Sequence, residues 1–364
     1  MAENSTGIVK NKIKVAAAMS GGVDSSVCAY LLKEQGYDVF GVTLRLFERT
    51  ECGKKCGTQK EIEDASEVCK KLGITHKVYD YKEDFKNSVI EKFVSDYENG
   101  RTPNPCVNCN RDVKFKNVLK MALAENCSYI ATGHYANIEY NDKTGRYNLK
   151  KAANLKKDQT YFLYKLTQEE LSHTIFPLGK FEDKEEIRAL AKDIELSVSE
   201  KMDSQDVCFI SEKSYIEFIE RYRNKKYEKG NFVDKDGNVL GRHLGIINYT
   251  IGQRKGLGIS FCKPMYVIEK RPTENEIVLG DEDELYSDSL MVNDINLISV
   301  ESITKPMTVK VKTRYNQPEQ EAVITQIAED EIKVEFLRPQ KAITKGQACV
   351  FYDGDIVVGG GTII

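Results

Sequence analysis

The sequence predicts an open parallel α/β sheet with helices on both faces, followed by a small glycine-rich domain and a C-terminal β-barrel. Three observations carry this expectation. Apolar runs alternate with helix-period segments from Ile13 to Tyr135. Gly230, Gly237, Gly241, Gly245, Gly252, Gly256 and Gly258 then crowd a short region. From about Met291 onward, short strand-like runs recur with turn signals between them. The expected domains are 1–211, 212–278 and 279–364, and a chain of 364 residues can bury a core in each.

Residues 13–19 read as the first strand. The first helix carries Val27, Tyr30 and Leu31 on one face and stops at Gly36, a helix-end glycine. Residues 39–44 form a continuous apolar run, the pattern of a buried parallel strand. A second helix places Ile62, Ala65, Val68, Cys69 and Leu72 on one face and closes at Gly73. A strand is expected over 75–79. A long helix with Phe85, Val89, Phe93 and Tyr97 follows, then a helix over 115–124 and a strand over 129–132. The turn signal at 141–145 predicts a hairpin and 169–193 a helical region, both extending this first domain. A short helix is expected at 214–222. Barrel strands are expected at 294–299, 307–313, 321–328, 332–337, 348–352 and 356–358.

Hydrophobic residues make up 41% and charged residues 30%, the balance of a soluble globular protein. Net charge is −3, so a nucleic-acid partner requires local basic patches rather than a global positive field. The N-terminal residues lack the apolar core of a signal peptide, and no run reaches the ~20 apolar residues of a membrane helix. The expectation is a cytoplasmic protein with no membrane partner. In a reducing compartment, ten cysteines point to catalytic or metal-binding roles rather than structural disulfides.

Chemistry concentrates at Ala18-Met19-Ser20-Gly21-Gly22-Val23-Asp24-Ser25-Ser26, between the first strand and first helix. Strand, glycine turn and helix together present backbone N–H groups and a positive helix end to a phosphate. The stretch lacks a Gly-Lys-Ser/Thr ending, which separates it from the nucleotide loop of kinases and GTPases. Asp24, an acid in an anion site, suggests a bound Mg²⁺. The alternative is a capped glycine turn without a ligand. The stretch resembles the pyrophosphate loop, S-G-G-x-D-S, of enzymes that split ATP between its α and β phosphates.

A second cluster runs Arg101-Thr102-Pro103-Asn104-Pro105-Cys106-Val107-Asn108-Cys109-Asn110. Its two prolines keep the entry extended, and a helix starts near Val107. Cys106 and Cys109 therefore lie near a helix N-terminus with Arg111 and Lys114 close by, a setting that favours thiolate. Two alternatives stay open: inert packing, and half of a zinc site with Cys52 and Cys56 as the other half. Cys208, taken alone, reads as a buried hydrophobe. Cys28, Cys69, Cys127, Cys262 and Cys349 fall in or near apolar runs and read as packing. The run 221–227 interleaves cations with aromatics, as an RNA-binding surface or a solvated helix face does.

These stretches occur in order with Ala131–Ala136, Lys157–Phe162, Asp203–Phe209 and Tyr249–Gly258. Together they resemble the bacterial-type tRNA-specific 2-thiouridylases, over nearly the whole chain. The resemblance implies an adenine-nucleotide alpha hydrolase-like sheet and an enzyme that uses ATP and Mg²⁺ on tRNA. ATP would adenylate the C2 oxygen of the wobble uridine, and a cysteine persulfide would deliver sulfur. Cys109 matches the family nucleophile and Cys208 the persulfide carrier, and the two match an alternate disulfide. Cys106 stands where the family often has an acid/base Asp. The resemblance further implies ATP contacts at Ala18, Met19, Ser20, Gly21, Gly22, Val23, Asp24, Ser25, Leu44 and Gly133. It implies tRNA contacts at Asn104, Pro105, Cys106, His134, Lys157, Asp158, Gln159, Arg314, Tyr315 and Gln347. A persulfide-donor protein or sulfide would supply the sulfur. Three thiols beside one ATP site also allow a [4Fe-4S] cluster on Cys106, Cys109 and Cys208. An adenylating amide ligase and a noncatalytic tRNA-binding protein are the alternatives outside thiolation.

Overall fold

A computed structural model describes residues 13–47, 59–201, 207–210 and 214–364. Cys52 and Cys56 lie outside the described residues. The first sheet is five-stranded and parallel, ordered β3-β2-β1-β4-β7. Its strands are β1 (Lys14–Ala18), β2 (Asp38–Arg45), β3 (His76–Asp80), β4 (Tyr129–Ala131) and β7 (Thr174–Ile175). Alternate residues of β1 feed opposite layers, as a strand's two-residue period requires. Val15 and Ala17 pack with α1 (Val23–Glu34), α2 (Gln59–Leu72) and α9 (Lys184–Asp193). Ala16 packs instead with Val118, Leu119 and Ala122 of α6 (Lys116–Ala124).

Two expectations in this part need correction. The span 169–193 is not one helical region. It contains α8 (Gln168–Ser172), strand β7, a 3₁₀ turn at Pro177–Lys180 and then α9. Pro177 cannot donate to a helix ladder, and Thr167 and Asp183 each cap a separate helix start. The long helix after β3 is also interrupted. α3 (Lys82–Phe85) and α4 (Glu91–Glu98) are joined by a π-helical segment, Lys86–Ile90.

The hairpin at 141–145 forms, as β5 (Asn137–Asn141) and β6 (Arg146–Lys150), yet it does not extend the first sheet. It adds to the C-terminal sheet instead, through Lys150 opposite Ile356. Arg146 fixes the join by donating to the Ile298 carbonyl at 2.8 Å.

The middle region carries α10 (Tyr215–Arg223) and a four-stranded sheet ordered β10-β11-β8-β9. Those strands are β8 (Gly230–Val233), β9 (Val239–His243), β10 (Tyr266–Arg271) and β11 (Glu276–Gly280). Four residues of the basic-aromatic run 221–227 serve this joint. Tyr222 and Arg223 bond Glu91 of α4 at 2.6 and 2.8 Å, and Tyr227 and Lys225 reach Glu98 at 2.7 and 2.8 Å.

The last region is a closed six-stranded antiparallel barrel of β12 (Tyr286–Leu297), β13 (Met307–Lys312), β14 (Gln320–Ala328), β15 (Glu331–Lys341), β16 (Ala348–Asp353) and β17 (Ile356–Ile363). Pairing of β12 with β17 closes it and removes the open edges. Its interior is filled by Val292, Val309, Val311, Ile324, Val334 and Phe351.

Candidate active site

The phosphate loop is held by its own serines. Ser20 N–H and Oγ both approach Ser25 Oγ, at 3.2 and 3.1 Å, and Ser25 and Ser26 hydroxyls donate to the Gly22 carbonyl at 3.1 and 2.8 Å. Gly21 takes φ +69°, and a Cβ there would lie 2.5 Å from the Glu61 carbonyl oxygen of α2. Gly133, just past β4, comes so close that a Cβ would lie 2.8 Å from the backbone of Asp24 and Ser25. Backbone proximity therefore dictates glycine at both positions.

A cavity of about 230 Å³ opens on this loop. Ala18, Met19, Ser20, Asp24, Ser25, Leu44 and Gly133 line it, as expected for a nucleotide. His134 and Gln159, expected at the RNA, line the same cavity, together with Glu61, Lys114 and Thr132. Gln159 is fixed there by accepting the Tyr135 N–H at 2.9 Å. Desolvation holds the His134 ring neutral, lowering its pKa to about 3, and Lys114 adds repulsion. Nδ1 lies 2.7 Å from Thr132 Oγ1, and the ring packs on Phe115 and Phe176. A larger cavity, about 630 Å³, is lined by Arg111, Lys165 and Asp294 and includes none of the loop residues.

Asp24 was expected to hold Mg²⁺. Its Oδ1 accepts from the Tyr135 hydroxyl at 2.7 Å and its Oδ2 pairs with the buried Lys184 ammonium at 3.0 Å. A cation thus already pairs with this carboxylate. Lys184 and Tyr135 are site residues that the sequence reading did not assign. The motif around Gly133 contained Tyr135, whereas nothing local distinguishes Lys184 from the other lysines.

The cysteine region is built from distant parts of the chain. α5 (Pro105–Asn108) leads into a second π-helical segment, Cys109–Phe115. Such segments occur mostly as single turns, frequently at functional sites. Cys106 is exposed, Cys109 buried and Cys208 half-buried. Cys109 and Cys208 belong to one apolar cluster with Phe85, Phe93, Phe209 and Phe218. Phe209 is 1% exposed, so its burial contributes roughly 1.5–3 kcal/mol toward holding Cys208 in place.

Among the described residues no three of Cys, His, Asp and Glu stand together as a metal-holding group, so the arrangement adds no support for a cluster on Cys106, Cys109 and Cys208. Two expectations change here. Arg111 does not serve the thiols. Its guanidinium is engaged by Asp112 at 2.7 Å and by Asp294 of the barrel at 3.2 Å. Cys262, expected as packing, is exposed, whereas Cys28, Cys69, Cys127 and Cys349 are buried.

The barrel reaches into this region. Gln347 donates to the Thr102 carbonyl at 2.8 Å, and Thr102 N–H donates to the Lys345 carbonyl at 2.9 Å. The Asn104 side chain hydrogen-bonds Tyr161. Tyr315 packs on Phe162 with ring centroids 4.5 Å apart. Arg314 donates to the Ala342 carbonyl at 2.6 Å. Pro105 is buried, and Lys157 is half-buried. Asp158 is buried, accepting from Ala152 N–H and Thr160 Oγ1 at 3.0 and 2.6 Å. Of the residues expected at tRNA, Gln347 thus straps the Thr102–Pro103 stretch before Cys106 to the barrel.

The parallel sheet, the loop at its strand ends and the two appended β regions put the chain in a class of nucleotide-binding α/β proteins. Family models agree in detail. One described as the tRNA methyl transferase HUP domain matches residues 13–212, the PRC-barrel domain of the same series matches 216–281, and an aminomethyltransferase beta-barrel domain matches 287–363. The tRNA-specific 2-thiouridylase MnmA of Clostridioides difficile is 50% identical over 353 residues, 96% of this chain and 98% of that protein. The Acetivibrio thermocellus protein of the same name is 50% identical over 358 residues, 97% of this chain and 99% of that one. The chain belongs to the tRNA-specific 2-thiouridylase family. Among the described residues no helix is long and apolar enough to cross a membrane.

Proposed function

We propose that this chain is a tRNA sulfurtransferase that converts the wobble uridine to 2-thiouridine at the expense of ATP. One observation carries the proposal beyond family membership. Leu44 and Leu46 line the phosphate-loop cavity and also pack in the cluster that contains Cys109 and borders Cys208. Nucleotide and thiol chemistry therefore share a wall.

The loop N–H groups, the Ser20 hydroxyl and the positive end of α1 bind the triphosphate. The uridine C2 oxygen attacks the α-phosphorus, and the bond to pyrophosphate breaks. Neutral His134 and Gln159 border this space without adding charge. The terminal sulfur of a Cys208 persulfide then attacks C2, and AMP leaves with the oxygen. The Cys109 thiolate attacks the Cys208 sulfur, forming a disulfide and freeing 2-thiouridine. An external thiol reduces the disulfide and a persulfide-donor protein reloads Cys208, or sulfide attacks the Cys208 sulfur of the disulfide directly, which leaves the Cys208 persulfide and the Cys109 thiolate. Mg²⁺ would accompany ATP through its phosphates, and no step is assigned to Asp24-bound metal.

Incubation of unmodified tRNA with the full chain, ATP, Mg²⁺ and sulfide or a persulfide donor tests this. Mass analysis of the nucleosides should find 2-thiouridine together with AMP. Its absence under both aerobic and oxygen-free conditions overturns the proposal.

A further inference from the structure

We infer that Asp294 of the barrel is a positioning residue for Cys109, an inference that rests on the proposed sulfur relay. Asp294 stands in β12 where its pairing with β17 shifts register, between Asn293 and Asn296. Its backbone takes φ +51°, a conformation that costs energy for any residue with a side chain. Asp330 holds it there, its carboxylate accepting the Asp294 and Ile295 N–H groups at 3.0 and 2.8 Å. Irregularities of this kind re-aim side chains out of a strand's regular alternation.

The re-aimed side chains leave the barrel and grip the first domain. The Asp294 carboxylate accepts from Arg111, at 3.2 and 3.3 Å, and from the buried Lys165 ammonium. The Asn296 side-chain amide donates to the Tyr164 and Leu166 carbonyls at 2.7 and 3.0 Å. Phe162, just before this stretch, accepts from the Asn110 amide at 3.0 Å. Asn110 and Arg111 directly follow Cys109 in the π-helical segment Cys109–Phe115. Both side chains next to the nucleophile are therefore anchored, one to Phe162 and one to Asp294. Asp294 joins the two anchors through Lys165, three residues beyond Phe162. Each link is a direct bond or a few residues of continuous backbone.

Both anchors lie inside the widened turn and hold its spacing. One residue gained or lost in a helical turn rotates the side chains at its end by about 100°. Such a slip would swing Cys109 away from the apolar cluster that it shares with Cys208. Asp294 touches none of the reacting atoms. In the proposed relay the Cys109 thiolate attacks the Cys208 sulfur. The bond from that sulfur to the sulfur on uridine breaks, and its electron pair leaves with 2-thiouridine. AMP has already departed, so a misplaced Cys109 slows release and not activation. A loosened turn should leave tRNA joined to Cys208 through a disulfide.

The experiment mixes persulfide-loaded full-length protein with tRNA, ATP and Mg²⁺ in the absence of reductant. Non-reducing gels follow the covalent tRNA–protein species, alongside AMP and free 2-thiouridine. Cys109→Ser lacks the attacking thiol and marks the adduct at its most persistent. With Asp294→Asn the adduct should last about tenfold longer than in wild type, while the rate of AMP formation stays within about twofold. An adduct lifetime equal to that of wild type overturns the inference. So does a loss of AMP and 2-thiouridine in step without adduct, the mark of a merely structural role. Should Asp294→Asn fail to fold because Lys165 is left unpaired, Arg111→Met cuts the link to the Cys109 turn and keeps the Asp294–Lys165 pair. A longer-lived adduct in that variant supports the inference, and a wild-type lifetime overturns it. Arg111→Lys keeps a positive charge and should restore most of the release rate. Absence of any adduct in Cys109→Ser sinks the relay itself, and the inference with it.

Discussion

The phosphate loop and the cysteine region are neighbours built on opposite plans. The loop is local: nine consecutive residues hold their own turn through Ser20, Gly22, Ser25 and Ser26. The cysteine region is assembled, with Cys109 from a π-helical segment, Cys208 nearly a hundred residues later and a strap from the barrel near residue 347. A local site fails first with its own residues. An assembled site depends on side chains that never meet the substrate.

Removing the sulfur chemistry should have the largest effect. Cys109→Ser or Cys208→Ser should cut 2-thiouridine formation by at least about a thousandfold, with ATP affinity unchanged by calorimetry. Gly21→Ala attacks the local site. It adds a Cβ 2.5 Å from the Glu61 carbonyl at a positive φ, so ATP affinity should fall by about tenfold or more while Cys106 still reacts with iodoacetamide. Gln347→Ala tests the remote strap. Losing its bonds to Thr102 and Pro103 should lower kcat by about fivefold without altering ATP affinity, since a typical hydrogen bond is worth about 1 kcal/mol.

His134 supplies a test by pH. Its folded pKa of about 3 lies below the ordinary 6.5, so the unfolded chain binds the proton first as pH falls. Its contribution to stability is whole above about pH 6.5 and is lost as pH drops toward 3. Melting temperature should decline less over this window in His134→Gln than in wild type. The smallest effect is expected for Cys106→Ser, which should keep thiolation within about threefold, because the persulfide relay uses the other two thiols. Complete loss of activity in that variant would revive cluster ligation.

The same contrast explains what could be read from sequence. The loop was legible because seven adjacent residues specify its turn, its glycines and its hydroxyls. Strands β1 and β2 were legible as apolar runs. Strand β7 was not, since two residues carry no period. The hairpin's turn was visible at 141–145, but its pairing with β17 depends on a partner about 200 residues away. Lys184 and Lys201 are single lysines among 53 basic residues, and only the folded chain brings them to Asp24 and Gly21. The run 221–227 read as an RNA surface or a solvated helix face because composition cannot show that Glu91 and Glu98 will face it.

The pairing of β6 with β17 has a consequence for synthesis. The ribosome must add about 200 residues after Lys150 before Ile356 emerges, which at roughly 5–20 residues per second takes roughly 10–40 s. Throughout that interval the hairpin keeps one edge unpaired and exposed to other nascent chains. Gln347, which fastens the stretch before Cys106, arrives in the same final portion. The thiol centre is therefore completed last, and a product of premature termination would carry a finished phosphate loop beside an unfastened cysteine segment.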